Sequence, residues 1–171
     1  WNLETGEAIR TFLDHSSGIR GVAVSSDGRY AVSAGEDRTL KVWVLTHNAD
    51  VRAIAESAIV TSLGCSPDGM SFVSGDVTGT VKLRDLATSR VLRTFTGHTQ
   101  RITCSTVLSG GRRLFTSDKS GSSRLWDLSS GHELCSYPTR GSSESQDDKR
   151  EQRTTGSTPD REAVCAAVSA D

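Results

Sequence analysis

Two stretches, GHTQRITC (Gly97–Cys104) and SSRLWDL (Ser122–Leu128), decide the fold of this chain. The first opens with a Gly-His pair, the second contains a Trp-Asp pair, and His98 and Trp126 lie 28 residues apart. The same separation of 28 residues occurs earlier in the chain, again between a histidine and a tryptophan. A spacing that is kept while the residues within it change indicates an internal repeat.

The repeat has a period of 41 or 42 residues. The residues that align at the end of each unit are Trp1, Trp43, Arg84 and Trp126. A turn-like sequence recurs with the same period, as SSDGR, SPDGM and SGGRR. A period of about 40–45 residues that ends in Trp-Asp is typical of a unit of four short strands.

The residues within each unit also favour strands. In the first full unit, IRGVAVS, RYAVSA and TLKVWVL are short, rich in β-branched and aromatic residues, and separated by the turn sequences SDG and GED. A fourth apolar stretch precedes each histidine, as EAIRTF near Ala8 and RVLRTF near Val91. Four strands joined by short turns predict an antiparallel meander, and no helical periodicity is sustained.

With these landmarks in register in three units, the chain resembles the WD-repeat β-propeller family. The resemblance implies an all-β fold, a partial β-propeller of about three full four-stranded antiparallel blades plus flanking strands. We expect WD-repeat blades over 1–138, a disordered insertion over 139–160 and the first strand of a further blade over 161–171. This organisation predicts a fragment of a longer WD-repeat protein.

The resemblance also implies a buried hydrogen-bond network of Trp, Ser or Thr, His and Asp within a blade. The first full unit supplies Trp43, Ser33, His15 and Asp37. Indole N–H only donates, carboxylate only accepts, and hydroxyl and neutral imidazole do both, so the four groups can satisfy one another. The competing interpretation, a catalytic Ser-His-Asp triad, is disfavoured because the set repeats with the blade and the serine belongs to a strand.

The other two units depart from this pattern. The third supplies Trp126, Thr116 and His98, with Ser120 where aspartate is expected and Asp118 two residues before it. In the second unit the four positions hold Arg84, Ser74, Glu56 and Thr78. Because an acceptor and a donor still occupy the two ends, one hypothesis is an ion pair of Glu56 with Arg84. The alternative is that both side chains reach solvent and the blade is weaker.

The segment TRGSSESQDDKREQRTTGSTPD (139–160) has no large apolar residue and mixed charges, which predicts disorder. By the resemblance, it lies on the same face as the histidine loops. Its candidate phosphorylation sites are Ser142, Ser143 and Ser145, which precede two aspartates. The segment is either a phospho-regulated flap or a tolerated surface insertion.

Composition argues against several classes of function. The net charge of −1 gives no reason to expect nucleic acid or an anionic membrane as partner. The four cysteines and four histidines show no metal-ligand spacing, so we expect no catalytic, cofactor or metal site. Scattered cysteines in a long chain predict free thiols in a reducing compartment rather than a secreted disulfide framework. The expected location is the cytoplasm, with the nucleus as the alternative.

The expected function is a non-enzymatic scaffold that binds other proteins. The residues expected on its partner-binding rim are Ser17, Glu36, Arg38, Val77, Gln100, Arg101 and Lys119. One alternative is the C-terminal sensor propeller of a larger nucleotide-binding (NACHT/STAND-like) signalling protein, which an upstream phosphate-binding motif would favour. A further alternative is a small-molecule-binding or enzymatic propeller, although no convergent polar cluster supports it.

Overall fold

The computed structural model describes residues 1–46 and 50–137, and its regular structure consists of twelve β-strands. They form three four-stranded sheets in which consecutive strands pair antiparallel. The first sheet contains β1 (Ile19–Val24), β2 (Tyr30–Gly35), β3 (Thr39–Val44) and β4 (Val51–Ala55). The second contains β5 (Val60–Cys65), β6 (Ser71–Asp76), β7 (Val81–Asp85) and β8 (Val91–Phe95). The third contains β9 (Ile102–Val107), β10 (Arg113–Asp118), β11 (Ser123–Asp127) and β12 (Glu133–Tyr137).

The turn sequences SSDGR and SPDGM form tight turns between the first and second strands of their sheets. In SSDGR, the Ser25 hydroxyl donates to Asp27 at 2.6 Å, and the same carboxylate accepts the backbone N–H of Arg29 at 3.0 Å. Gly28 follows with a φ of 67°, a left-handed conformation that glycine adopts without steric cost. SPDGM repeats this arrangement between β5 and β6. The turn therefore reverses the chain tightly enough for neighbouring strands to pair.

The apolar core lies between successive sheets, because alternate residues of each strand face opposite sides. The cluster between the first and second sheets contains Val32, Ala34, Leu40, Val42, Val60, Phe72 and Leu86. The cluster between the second and third sheets contains Val73, Val81, Leu83, Phe95, Ile102, Val107, Leu114, Trp126 and Leu128. Each sheet is thus stabilised mainly by burial against its neighbour.

Two arginines of the outer strands also join successive sheets. The Arg52 guanidinium on β4 donates to the backbone oxygens of Leu86, at 2.6 Å, and of Ala87 in the second sheet. The Arg93 guanidinium on β8 donates in the same way to Ser129 and, at 2.8 Å, to Ser130 in the third sheet. Both arginines stand nine residues after the Trp position of their unit, so the repeat encodes this contact.

The stretch EAIRTF is not a strand in the structure. A strand needs a partner for its backbone groups, and the preceding residues instead form a turn in which Asn2 pairs with Glu7 and Gly6 at 2.8 Å. Phe12 nevertheless packs against Trp43, with ring centroids 4.8 Å apart. The expected insertion and the strand after it lie outside the described residues. The described part of the chain has no helix that is long and apolar enough to cross a membrane.

Candidate partner-binding rim and the networks behind it

The third sheet contains a hydrogen-bond chain of four buried side chains. The Trp126 indole donates to the Thr116 hydroxyl at 2.8 Å, and Thr116 Oγ1 lies 2.8 Å from His98 Nε2. His98 Nδ1 lies 2.7 Å from a carboxylate oxygen of Asp118. Proton donation in the order Trp, Thr, His, Asp satisfies every group with a neutral imidazole. A fully paired buried network holds β10, β11 and the histidine loop in one arrangement.

The first sheet forms the same chain with different residues. Trp43 Nε1 donates to Ser33 Oγ at 2.8 Å, and Ser33 Oγ lies 2.8 Å from His15 Nε2. His15 Nδ1 lies 2.9 Å from a carboxylate oxygen of Asp37. Ser33 lies within β2 and is only 5% exposed. Because its hydroxyl is held between an indole and an imidazole inside the sheet, it is not placed to attack a substrate.

The carboxylate that receives the histidine comes from different positions in the two sheets. In the third sheet it is Asp118, whereas Ser120, at the position aligned with Asp37, donates its hydroxyl to that aspartate. In the first sheet the position aligned with Asp118 is Gly35. A Cβ atom on Gly35 would lie 2.5 Å from both His15 Nδ1 and the Asp37 carboxylate. Because Gly35 has no side chain, the carboxylate of Asp37 can occupy this space beside His15.

Both acceptor carboxylates are held in their charged form. Burial by itself raises the pKa of Asp37, but hydrogen bonds from Thr39, His15 and the Ser16 backbone outweigh it and leave the pKa below its usual range. Burial likewise raises the pKa of Asp118, and hydrogen bonds from Ser120 and His98 reverse the effect. Each network thus ends on a carboxylate rather than on a neutral acid.

The second sheet replaces the hydrogen-bond chain with charges. Arg84 donates to one Glu56 oxygen, and Lys82 Nζ lies 2.5 Å from the other. The Glu56 and Arg84 side chains are only 4% and 8% exposed. The predicted ion pair is therefore present, and the alternative in which both side chains reach solvent is wrong. The hydroxyl of Thr78, the fourth aligned residue, donates instead to Asp76 at 2.6 Å.

The lysine of this cluster was not predicted from the sequence, although a signal was present. Every unit carries a basic residue two positions before its Trp position, and each one binds an acid. The three pairs are Lys41 with Asp14, Lys82 with Glu56, and Arg124 with Glu133. A basic residue kept in register across the units would have predicted these pairs.

The structure brings the candidate rim residues to one end of the sheets. In each sheet, the turn between the second and third strands donates a backbone N–H to a carbonyl oxygen of the loop that enters the first strand. The bonds run from Glu36 N to Gly18 O at 2.8 Å, Val77 N to Ile59 O at 3.0 Å, and Lys119 N to Arg101 O at 2.8 Å. The rim residues Ser17, Arg38, Val77, Gln100 and Lys119 are exposed, and Glu36 and Arg101 are half-buried.

Two rim residues of the first sheet also bind each other directly. The Ser17 hydroxyl lies 3.4 Å from Glu36, whose carboxylate also pairs with Arg20 on β1. The candidate phosphorylation sites Ser142, Ser143 and Ser145 lie outside the described residues. Among the residues that are described, no three His, Cys, Asp or Glu side chains are grouped to hold a metal ion.

Comparison with known proteins agrees with this architecture. The model of the WD domain, G-beta repeat, matches residues 6–44, 46–85 and 89–127. Autophagy-related protein 16 of Arabidopsis thaliana is 27% identical over 128 residues, which are 74% of this chain and 25% of that protein. Nuclear distribution protein PAC1 of Arthroderma otae is 30% identical over 153 residues, covering 75% of this chain and 33% of that protein.

Solved structures show the same fold. The structure of U3-55K aligns with a TM-score of 0.71 at 20% identity, over 75% of this chain and 41% of that one. The RRP9 WD40 repeats align with a TM-score of 0.69 at 21% identity, over 74% and 40%. The chain therefore belongs to the WD-repeat family, and its three sheets are blades of a β-propeller. It spans a quarter to a third of the length of the curated relatives it matches.

Proposed function

We propose that the chain is a non-enzymatic scaffold that binds other proteins through its rim. The residues proposed to contact partners are Ser17, Glu36, Arg38, Val77, Gln100, Arg101 and Lys119. The observation that carries the proposal is a backbone hydrogen bond in each of the three blades. It joins the turn between the second and third strands to the loop before the first strand. Because the rim backbone is already ordered on rigid blades, a partner that binds there loses little free energy in fixing these loops.

Membership of the WD-repeat family supports a protein-binding function, because WD-repeat propellers typically bind other proteins. The buried networks support the same interpretation. Their serine, threonine and histidine side chains are engaged within the blades, which leaves the exposed turns and loops to supply contacts. We therefore expect partner binding to depend on rim side chains and not on the network residues directly.

A steric block of the rim tests the proposal. Tagged full chain is purified from cells, and the proteins retained by wild type and variants are quantified by mass spectrometry. The rim variant is Val77→Trp with Gln100→Trp, and the matched control is Met70→Trp, an exposed turn residue between β5 and β6 at the opposite end. We expect the rim variant to lose partners that the control keeps. Equal retention by both variants would contradict the proposal.

A further inference from the structure

Arg38 adopts a backbone conformation that its neighbours in the repeat reserve for glycine. Its φ is 59°, and the residues at the aligned positions of the second and third blades are Gly79 and Gly121, with φ of 88° and 84°. Within the described part of the chain, Ser89 is the only other non-glycine residue with positive φ. A residue with a Cβ atom is strained in this region, and such strain is typically found at functional sites.

The fold itself does not require an arginine at this position. Arg38 N donates to Gly35 O at 3.2 Å, and Arg38 O accepts Glu56 N at 2.8 Å, so both contacts belong to the main chain. A glycine would keep them and remove the strain. The guanidinium is exposed and forms no hydrogen bond or ion pair with the described residues. The side chain is therefore available to a partner.

The acidic side chains around Arg38 are already engaged within the blades. The carboxylates at this end of the blades are engaged internally: Glu36 with Arg20, Glu56 with Lys82 and Arg84, and Asp37 and Asp118 with the histidines. Between the first and third blades lies Val77, a valine with 39% of its surface exposed. The rim thus presents an exposed cation, Arg38, and an exposed apolar side chain, Val77, on neighbouring blades.

We propose that Arg38 anchors an acidic segment of a partner protein that lies across the rim over Val77. The inference rests on the proposed function and names the chemistry of the partner. A guanidinium binds carboxylates through two parallel hydrogen bonds, which a lysine cannot reproduce. An apolar residue between the acidic residues of the segment would contact Val77.

The test uses the full chain and fluorescein-labelled 12-residue peptides with glutamates on both sides of a central leucine. Affinity is read from fluorescence anisotropy, and stability from the temperature of unfolding. We expect Arg38→Gly to weaken peptide binding by about tenfold, typical of an interface anchor, and Arg38→Lys to weaken it less. The unfolding temperature of Arg38→Gly should stay equal or rise, by about 1–3 °C, because the strain is released.

Ser89→Gly is the matched control. It removes the other strained non-glycine residue, in the turn between β7 and β8 at the opposite end of the second blade. We expect this variant to keep both the fold and the affinity for the peptide. A structural role for Arg38 would instead lower the unfolding temperature of Arg38→Gly, and that result would overturn the inference.

Three further outcomes would also overturn it. They are unchanged peptide affinity in Arg38→Gly, tighter binding of a single-stranded oligonucleotide, and tighter binding of a peptide with this chain's own sequence GSSESQDD, at 141–148. The experiments also distinguish a failure of the proposed rim function from a failure of the inference about acidic segments. If the Val77→Trp and Gln100→Trp block removes cellular partners but acidic peptides do not bind, only the acidic chemistry is wrong. If the block removes none, the rim itself is wrong.

Discussion

The second and third blades join the same strand positions with different chemistry. In the third blade, a chain of hydrogen bonds joins Trp126, Thr116, His98 and Asp118. In the second blade, Glu56 sits between Arg84 and Lys82 and is almost completely buried. The hydrogen bonds around the Thr116 hydroxyl join groups without formal charge, and they tolerate the loss of one member better than the charges around Glu56 do, because an unpaired buried ion carries a large desolvation penalty.

The comparison shows that the repeat fixes where a connection is made, not which residues make it. The first blade supports this view, since its acceptor carboxylate comes from a position two residues later than in the third. What all three blades keep is a donor on the third strand and an acceptor near the loop that precedes the first strand. The experiments below break or convert these connections, in order of expected effect.

The largest effect is expected from Glu56→Ala. This change leaves the Arg84 and Lys82 cations without their buried acceptor and should lower the free energy of unfolding by about 4 kcal/mol. Urea unfolding of the full chain measures the loss. Glu133→Ala is the matched control, because its ion pair with Arg124 is partly exposed and should contribute less than about 1 kcal/mol. Equal losses from the two variants would contradict the contrast between the blades.

Thr116→Val breaks the third blade at the middle of its chain. The indole N–H and the imidazole nitrogen lose their shared hydroxyl while the volume is kept, which should cost about 2 kcal/mol. The matched control is Ser74→Ala in the second blade, because the Ser74 hydroxyl forms no hydrogen bond with the described residues. That change should cost less than about 0.5 kcal/mol. Thermal unfolding of both variants checks the difference, and a larger loss from the Ser74 change would refute it.

A pair of substitutions converts the first blade to the arrangement of the third. Gly35→Asp alone crowds His15 and Asp37, and Asp37→Ser alone removes the acceptor of His15. Each should lower the free energy of unfolding by about 2 kcal/mol. Together they place an aspartate where Asp118 stands and a serine where Ser120 stands, so the double variant should recover to within about 1 kcal/mol of wild type. Strictly additive losses in urea unfolding would show that the two acceptor positions are not equivalent.

The smallest effect is expected in acid. The folded pKa of Asp118 is lowered by Ser120 and His98 against the effect of burial, so its contribution to stability is full above the unfolded value of about 3.9. The contribution is lost as the pH falls through the lower folded pKa. Asp118→Asn should therefore flatten the decline of stability below about pH 4. Unfolding curves from pH 7 to pH 2.5 check this, with Asp50→Asn at an exposed position as control.

The fold was predictable from the sequence because the repeat period and turn residues act locally. SSDGR and SPDGM mark turns wherever they occur, and β-branched stretches between them leave little choice of strand. The acceptor of His98 was harder to assign, because Asp118 stands two residues before the position aligned with Asp37. Only the space at Gly35 distinguishes the two arrangements. The strain at Arg38 was not predictable, because a residue's φ depends on the turn that surrounds it.

Site-specific photocrosslinking tests the central claim, that the rim binds partner proteins, most directly. A photoreactive phenylalanine analogue is placed at Val77 on the rim, and separately at Met70 at the opposite end of the same blade. Crosslinked proteins are then identified by mass spectrometry after irradiation in cells. We predict abundant protein adducts from position 77 and few from position 70. Adducts from position 70 alone would place the partner surface at the other end of the blades and contradict the account.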